Sequence, residues 1–329
     1  MSESDFKIIL DELGYLRLDP IPQTADYYRK GYHESAGMNR APDIRRAIDG
    51  GREYEKEKFW LSATLWEDIR EIGILCLRQW VKGYHFLDFG CGVGDFCQYM
   101  QGFGWSANGV ELSEYARKIA TENGIKVYES LSQINTIITR GYDIISAINV
   151  LEHVPNPKET IEELKIHISP GGVLAIQVPN DFSQLQEIVK TKAMGREYWV
   201  SAPDHINYFN FDSLTSLLQK CGMEVVYRMS TFPMEWFVLL GDNYVLNPEF
   251  GNGCHNRRMN FDLSLPTDIR RAFYAKLAEI GWGRHCIVFV VDRSVERPSM
   301  RPPFTWLKDA VVGNNVTADA TIGMRRGVL

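Results

Sequence analysis

The sequence predicts a doubly wound α/β fold with parallel strands and helices on both faces. Between residues 86 and 293, short apolar runs alternate with segments of helical periodicity, which is the pattern of parallel strands joined by helical crossovers. The first run, "FLDFGCGVGDF" (86–96), then places Asp88 ahead of Gly90, Gly92 and Gly94, where a strand gives way to a helix. Glycines at that point let something approach the main chain closely.

The elements follow in order. Residues 1–50 mix polar and aromatic side chains, densest in "DYYRKGYHES" (26–35), and end at Gly50 and Gly51. Phe59, Trp60, Leu65, Trp66, Ile69, Ile72 and Leu75 then recur at helical spacing, predicting one long or two short amphipathic helices over a face or edge of the main domain. "HFLDFG" is a buried strand, Asp95 to Met100 a helix start, 106–112 a second strand, and Ser113 the cap of a helix closed by Gly124. Residues 125–130 and 142–150 are the third and fourth strands, 157–168 a helix opened by proline, and 171–180 the fifth strand. A helix capped by Asp212 leads through Gly222 to a sixth strand (223–230), and 286–293 is a seventh.

The stretch 231–285 is too long for a structureless loop and is expected to be a helical insert or lid. After Arg293 the chain has early prolines and little periodicity, predicting a mobile tail that "FTWL" (304–307) would dock. The expected organisation is an N-terminal helical cap (1–82), a main domain (83–293) carrying the insert, and a tail (294–329).

Composition narrows the function. A net charge of −6 argues against a broad nucleic-acid surface and favours a small-molecule substrate. The six cysteines form no CxxC pair, as in a reduced, cytoplasmic protein. The N-terminus lacks a basic region ahead of a long apolar stretch, and "CIVFVV" (286–291) is far too short to span a membrane.

Ligands of open parallel sheets bind at the carboxyl ends of the strands, where the strand order reverses, and the glycine turn is expected there. The dinucleotide fingerprint wants glycine at the sixth position, and Asp95 stands there instead, which disfavours a nicotinamide-dependent oxidoreductase. Alone, the turn is also compatible with a purely structural role. Glu111, closing the second strand, favours ribose binding, because a carboxylate there accepts hydrogen bonds from both ribose hydroxyls.

"LDFGCGVG", "GVELSEYARKIA", "YDIISAINVLEHVPNP" and "LKIHISPGGVLAIQVPN", in that order, resemble the successive motifs of class I S-adenosylmethionine-dependent methyltransferases over residues 83–293. The resemblance implies a Rossmann-like, seven-stranded sheet whose last strand runs antiparallel. It implies that Asp88 and the backbone of Gly90, Cys91 and Gly92 line the methionine and ribose of S-adenosyl-L-methionine. Glu111 would hold the ribose hydroxyls, Leu112 would lie against the adenine, and Asn149 would approach the methionine. The acidic residue that often faces the adenine amine is missing from "ESLSQI" (129–134), so Ser130 or the Leu131 backbone is expected to substitute. "PDHINYFNFDSLTSLLQKCGMEVV" (203–226) resembles a subgroup containing sugar, glycan-pathway and quinone-type enzymes.

A hydroxyl acceptor must lose a proton. His205, beside Asp204, is the first candidate base and His153 in "NVLEHV" the second; either can instead be a structural anchor. Glu152 reads as a solvated or helix-start residue. No cluster has metal-ligand spacing, so no metal is expected. Trp199 and Tyr208 are the aromatic candidates for acceptor contact, and "NRR" (256–258) with Arg284 are candidate cations for a phosphate-bearing substrate such as a nucleotide sugar. The expected function is O-methylation of a sugar, glycan precursor or related small molecule. The alternatives are C-methylation of a quinone-like ring and a non-catalytic scaffold that retains the cofactor fold.

Overall fold

The computed structural model describes residues 6–23, 29, 51–77, 84–134 and 141–295. Tyr27, Tyr28, Tyr32 and the C-terminal tail from 296 onward, including "FTWL", lie outside the described residues. Strands β1 (Lys7–Leu10) and β2 (Leu16–Asp19) come first, followed by β3 (His85–Phe89), β4 (Ser106–Val110), β5 (Lys126–Tyr128), β6 (Tyr142–Ile148) and β7 (Ile168–Pro179). The short β8 (Asn207–Tyr208), then β9 (Met223–Met229) and β10 (His285–Asp292), complete the strands.

The main sheet has the order β5-β4-β3-β6-β7-β10-β9. β3 pairs in parallel with β4 on one side and β6 on the other, so the strand order reverses at β3 and the crevice opens at its carboxyl end. β10 runs antiparallel to both β7 and β9, as expected of the last strand. Adjacent residues point to opposite faces, and Phe86, Leu87, Ile144 and Ile145 are all fully buried, so both faces are covered.

On one face Leu87, Ile145, Leu174 and Val288 form a core with Ile161 and Leu164 of α5 (Pro157–Ile166) and Leu214 and Leu217 of α7 (Phe211–Lys220). Each such side chain contributes about 1.5–3 kcal/mol on leaving water. On the other, the expected amphipathic stretch is two short helices, α1 (Arg52–Ser62) and α2 (Leu65–Cys76). Gly73 of α2 lies so close to the sheet that an added Cβ would sit 2.5 Å from Ile144 Cδ1.

Between them fall α3 (Asp95–Gly102) and α4 (Glu114–Glu122), the latter capped as expected by Ser113, whose hydroxyl accepts from Ala116 N–H at 3.3 Å. The cap of α7 is Asn210, not Asp212: the Asn210 side chain accepts from Ser213 N–H at 3.0 Å, and Asp212 lies in the first turn. Asn210 is the residue with extended backbone, which frees its amide oxygen to fold onto the first turn.

The N-terminal part is not only helical. β1 and β2 form a hairpin, and β2 pairs with β8 in a separate three-stranded sheet. The stretch before β10 carries three helices, α8 (Glu235–Leu239), α9 (Glu249–Ser264) and α10 (Thr267–Glu279), after the short α6 (Gln184–Val189) earlier in the chain. Buried polar contacts join α9 and α10 to α1 and α2. Trp60 Nε1 donates to Asp262 at 3.0 Å, and Asp68 accepts from Arg270 Nη2 at 3.0 Å and Arg271 Nε at 2.7 Å. Among the described residues, no helix is long and apolar enough to cross a membrane.

Candidate active site

The glycine turn closes around Glu111. Gly90 and Cys91 donate their N–H groups to the Val110 carbonyl at 2.8 and 3.0 Å, which fastens the turn to the end of β4. Glu111, the next residue, accepts from Gly92 N–H through Oε2 at 3.0 Å and from Ser113 N–H through Oε1 at 2.8 Å. The carboxylate therefore faces the turn, as its sequence position predicts. Two bonds leave lone pairs on both oxygens, which suits the two hydroxyls of a ribose. Gly90 has φ of 81°, and an added Cβ would sit 2.5 Å from Val150 Cγ2; Gly92, at φ 52°, has open space where its Cβ would be. The main chain at Gly92 is thus bare toward a ligand.

Asp88 lies beneath the turn, 5% exposed, and accepts from Ser146 Oγ at 2.6 Å. Burial, with a smaller contribution from the charge of Glu111, pushes its carboxyl up to about 7 against the pull of the serine. Cys91 is buried and burial drives its thiol well upward, so it offers the site only main chain. Asn149 is exposed at the end of β6 in the left-handed region at φ 53°, its Oδ1 accepting from Gln177 Nε2 at 3.1 Å.

The adenine side is less fully built. Leu112 is half-buried and its carbonyl accepts from Arg117 at 2.6 Å. Leu131 points into the core, Ser130 shares a hydrogen bond with Ser132 at 2.8 Å, and Glu129 pairs with Arg29 at 3.5 Å and Arg117 at 3.8 Å.

The two histidine-bearing segments form one unit. Ile206 and Asn207 N–H groups donate to the Glu152 carbonyl at 2.7 and 3.0 Å, and the Asn207 side chain donates to the carbonyls of Leu151 and Val154. His153 Nδ1 meets the Asp204 carbonyl at 2.8 Å, and the rings of His153 and His205 pack edge to face, 4.9 Å between centroids. Glu152 is not solvated: the 203–208 loop folds over it and leaves it 1% exposed. Burial raises its carboxyl far above the ordinary range.

The "Methyltransferase domain" family matches residues 66–228. A ubiquinone biosynthesis O-methyltransferase of Azoarcus sp. is 26% identical over 193 residues, 51% of this chain and 78% of that protein. The one from Paraburkholderia phytofirmans is 33% identical over 169 residues, 44% of this chain and 69% of that protein. The chain is a class I S-adenosylmethionine-dependent methyltransferase. Among solved structures, a SAM dependent methyltransferase from Archaeoglobus fulgidus aligns with a TM-score of 0.44 and 16% identity, over 69% of this chain and 92% of that one.

As a methyltransferase of this class it uses S-adenosylmethionine, and the strand-end carboxylate with the bare turn fits the adenosyl group. Sequence spacing misses a second grouping in this methyltransferase. Glu152, His153 and His205 each bring a ligand atom within 4.8 Å of the others, a set drawn from two distant segments. Glu152 Oε2 and His205 Nδ1 are buried without a hydrogen-bond partner. One carboxylate and two imidazoles are donors that suit a divalent transition metal.

Asp181 and Glu235 are absent from the sequence candidates. Asp181 follows the fifth strand, so the strand-end rule that finds Glu111 also finds it. The expected cations are engaged: Arg284 pairs with Glu235 at 3.6 Å, Arg257 with Asp242 at 2.7 Å, and Arg258 lies over the Trp60 ring and contacts His255. Trp199 is buried near Lys190 and Phe182, and Tyr208 pairs within the small sheet.

Proposed function

We propose that this methyltransferase methylates a hydroxyl oxygen of a small acceptor and that His153 receives the proton. The observation that carries this reading is the contact between His153 Nδ1 and the Asp204 carbonyl. A carbonyl only accepts, so Nδ1 bears the hydrogen and Nε2 is the basic nitrogen of the neutral ring. Burial lowers the pKa of His153 and, with the charge of His153 next in weight, that of His205 to about 4. Both rings are neutral near pH 7. The geometry favours His153 over His205, the first candidate from sequence, because only His153 has its tautomer fixed by a main-chain acceptor.

The cofactor supplies a methyl group on a sulfonium, so its C–S bond breaks as the new C–O bond forms and a neutral thioether leaves. The protein aligns the acceptor oxygen and takes its proton on His153 Nε2. Sugars and glycan precursors, expected from sequence, and an acceptor of ubiquinone biosynthesis, which the relatives' names print, share this step. Attack by a ring carbon has less need of an oriented base, so the His153 geometry favours O-methylation.

The test is methyl transfer by the pure protein to hydroxylated acceptors, with product mass and methyl position determined. O-methyl product is expected; C-methyl product alone rejects the reading. The Glu152, His153 and His205 grouping supports a second reading, in which these residues hold a divalent metal that would acidify the acceptor hydroxyl when bound. Turnover abolished by a chelator and restored by metal selects the second reading; turnover indifferent to chelation selects the first.

A further inference from the structure

Beyond the histidines, a second set of buried polar groups gathers at the carboxyl end of β7 and the start of β10. Asp181 is 3% exposed; its Oδ1 accepts from Gln186 Nε2 at 3.4 Å, and its Oδ2 is buried with no partner. Glu235, opening α8, is 1% exposed; its Oε1 lies 3.5 Å from Tyr198 OH and 3.6 Å from Arg284, and its Oε2 has no partner. Trp199, next to Tyr198, is buried with its indole N–H unpartnered. The Arg284 carbonyl accepts from Asn180 N–H at 3.0 Å, which brings the arginine beside Asp181. The set borders the segment that carries His205, since Asp181 N–H donates to the Phe209 carbonyl at 2.6 Å.

Buried polar atoms are almost always hydrogen-bonded, so a group of orphans marks positions that a ligand or water fills. Two orphaned carboxylate oxygens need donors and one indole N–H needs an acceptor. A hydroxyl group is both donor and acceptor. Glu235 offsets Arg284, and burial raises the Asp181 carboxyl to about 7, so the set holds no surplus positive charge to attract an anionic acceptor group. A dihydroxylated aromatic ring commits one hydroxyl to the reaction and has one left for three orphans.

We propose that Asp181, Glu235 and Trp199 form an acceptor subsite that grips several hydroxyls of a neutral, polyhydroxylated, sugar-like ring, with Arg284 and Tyr198 positioning Glu235. This rests on the O-methyltransferase reading above and names its acceptor class.

The experiment compares the native protein with the isosteric variants Asp181→Asn and Glu235→Gln, using methyl hexopyranosides, catechol and hexose 1-phosphates as acceptors. S-adenosylhomocysteine titration and thermal unfolding confirm that each variant is folded. The native protein is expected to prefer a methyl hexopyranoside. Each variant is expected to raise its KM about tenfold or more with kcat little changed, since each loses a hydrogen bond to a charged group. Catechol as the preferred acceptor, with an unchanged KM in both variants, overturns the subsite and leaves the O-methyltransferase reading intact. Absence of transfer to any hexopyranoside overturns the subsite as well, whereas C-methyl product alone overturns the reading beneath it.

Discussion

His153 donates through Nδ1 to the carbonyl oxygen of Asp204 at 2.8 Å, which ties the end of the fourth strand to the loop after the fifth. If Nε2 is the base, His153→Ala is expected to lower kcat by about 10²–10⁴-fold while S-adenosylhomocysteine affinity stays within about twofold. Burial holds this ring below its ordinary 6.5, so the basic form persists into mild acid. The acid limb of kcat/KM is therefore expected below pH 6.5, falling as pH falls. An unchanged kcat in the variant removes His153 from the reaction.

Glu111→Ala is expected to weaken S-adenosylhomocysteine binding by about 10–100-fold in calorimetry, the loss of charge-assisted bonds to the ribose. It also strips Gly92 and Ser113 of their common acceptor and loosens the turn itself. Unaltered affinity would place the nucleoside elsewhere.

The glycine turn and the carboxylate that faces it were legible in the sequence because each determinant is local. A glycine turn, a carboxylate at the next strand end and a serine cap can all be read within about thirty residues. The groupings around Glu152 and Glu235 were not. Glu152 reads as polar and solvated until the 203–208 loop covers it, and Glu235 and Arg284 meet only when α8 folds against the start of β10. The β1–β2 hairpin escaped because its strands are four residues each and its partner β8 only two, too short for a periodicity to emerge. Of the stretch before β10, its length predicts only the helical character.

Asp88 sets stability against binding. Its carboxyl, held near 7 in the folded protein chiefly by burial, has an ordinary value of 3.8. Between those values the folded chain keeps a proton that the unfolded chain releases, so this residue's contribution to stability declines as pH rises through the window. Asp88→Asn is expected to raise Tm by several degrees at pH 8 and to weaken S-adenosylmethionine binding. A variant with lower Tm at pH 8 contradicts this account.

Gly90→Ala combines a positive φ of 81° with a Cβ 2.5 Å from Val150 Cγ2. The expected cost is about 1–3 kcal/mol by denaturant unfolding, with cofactor affinity reduced. Adding Val150→Ala relieves the clash but not the backbone strain, so the double variant is expected to recover only part of the loss relative to Val150→Ala alone. Full recovery would assign the whole effect to the side-chain contact.

Asp68 and Arg270 are 2% and 3% exposed and are joined by Arg271 in a buried ion cluster between α2 and α10. Removing one side of such a cluster strands the opposite charge away from water, so Asp68→Ala is expected to cost about 3–5 kcal/mol. The form of the thermal transition then reports on the organisation of the chain. A single transition displaced downward means that the helices before β10 unfold with the sheet, held there by this cluster and by the Trp60–Asp262 bond. A new low-temperature step means that these helices are a separable layer that the ion cluster fastens to the methyltransferase core, as the insert expected from sequence would be.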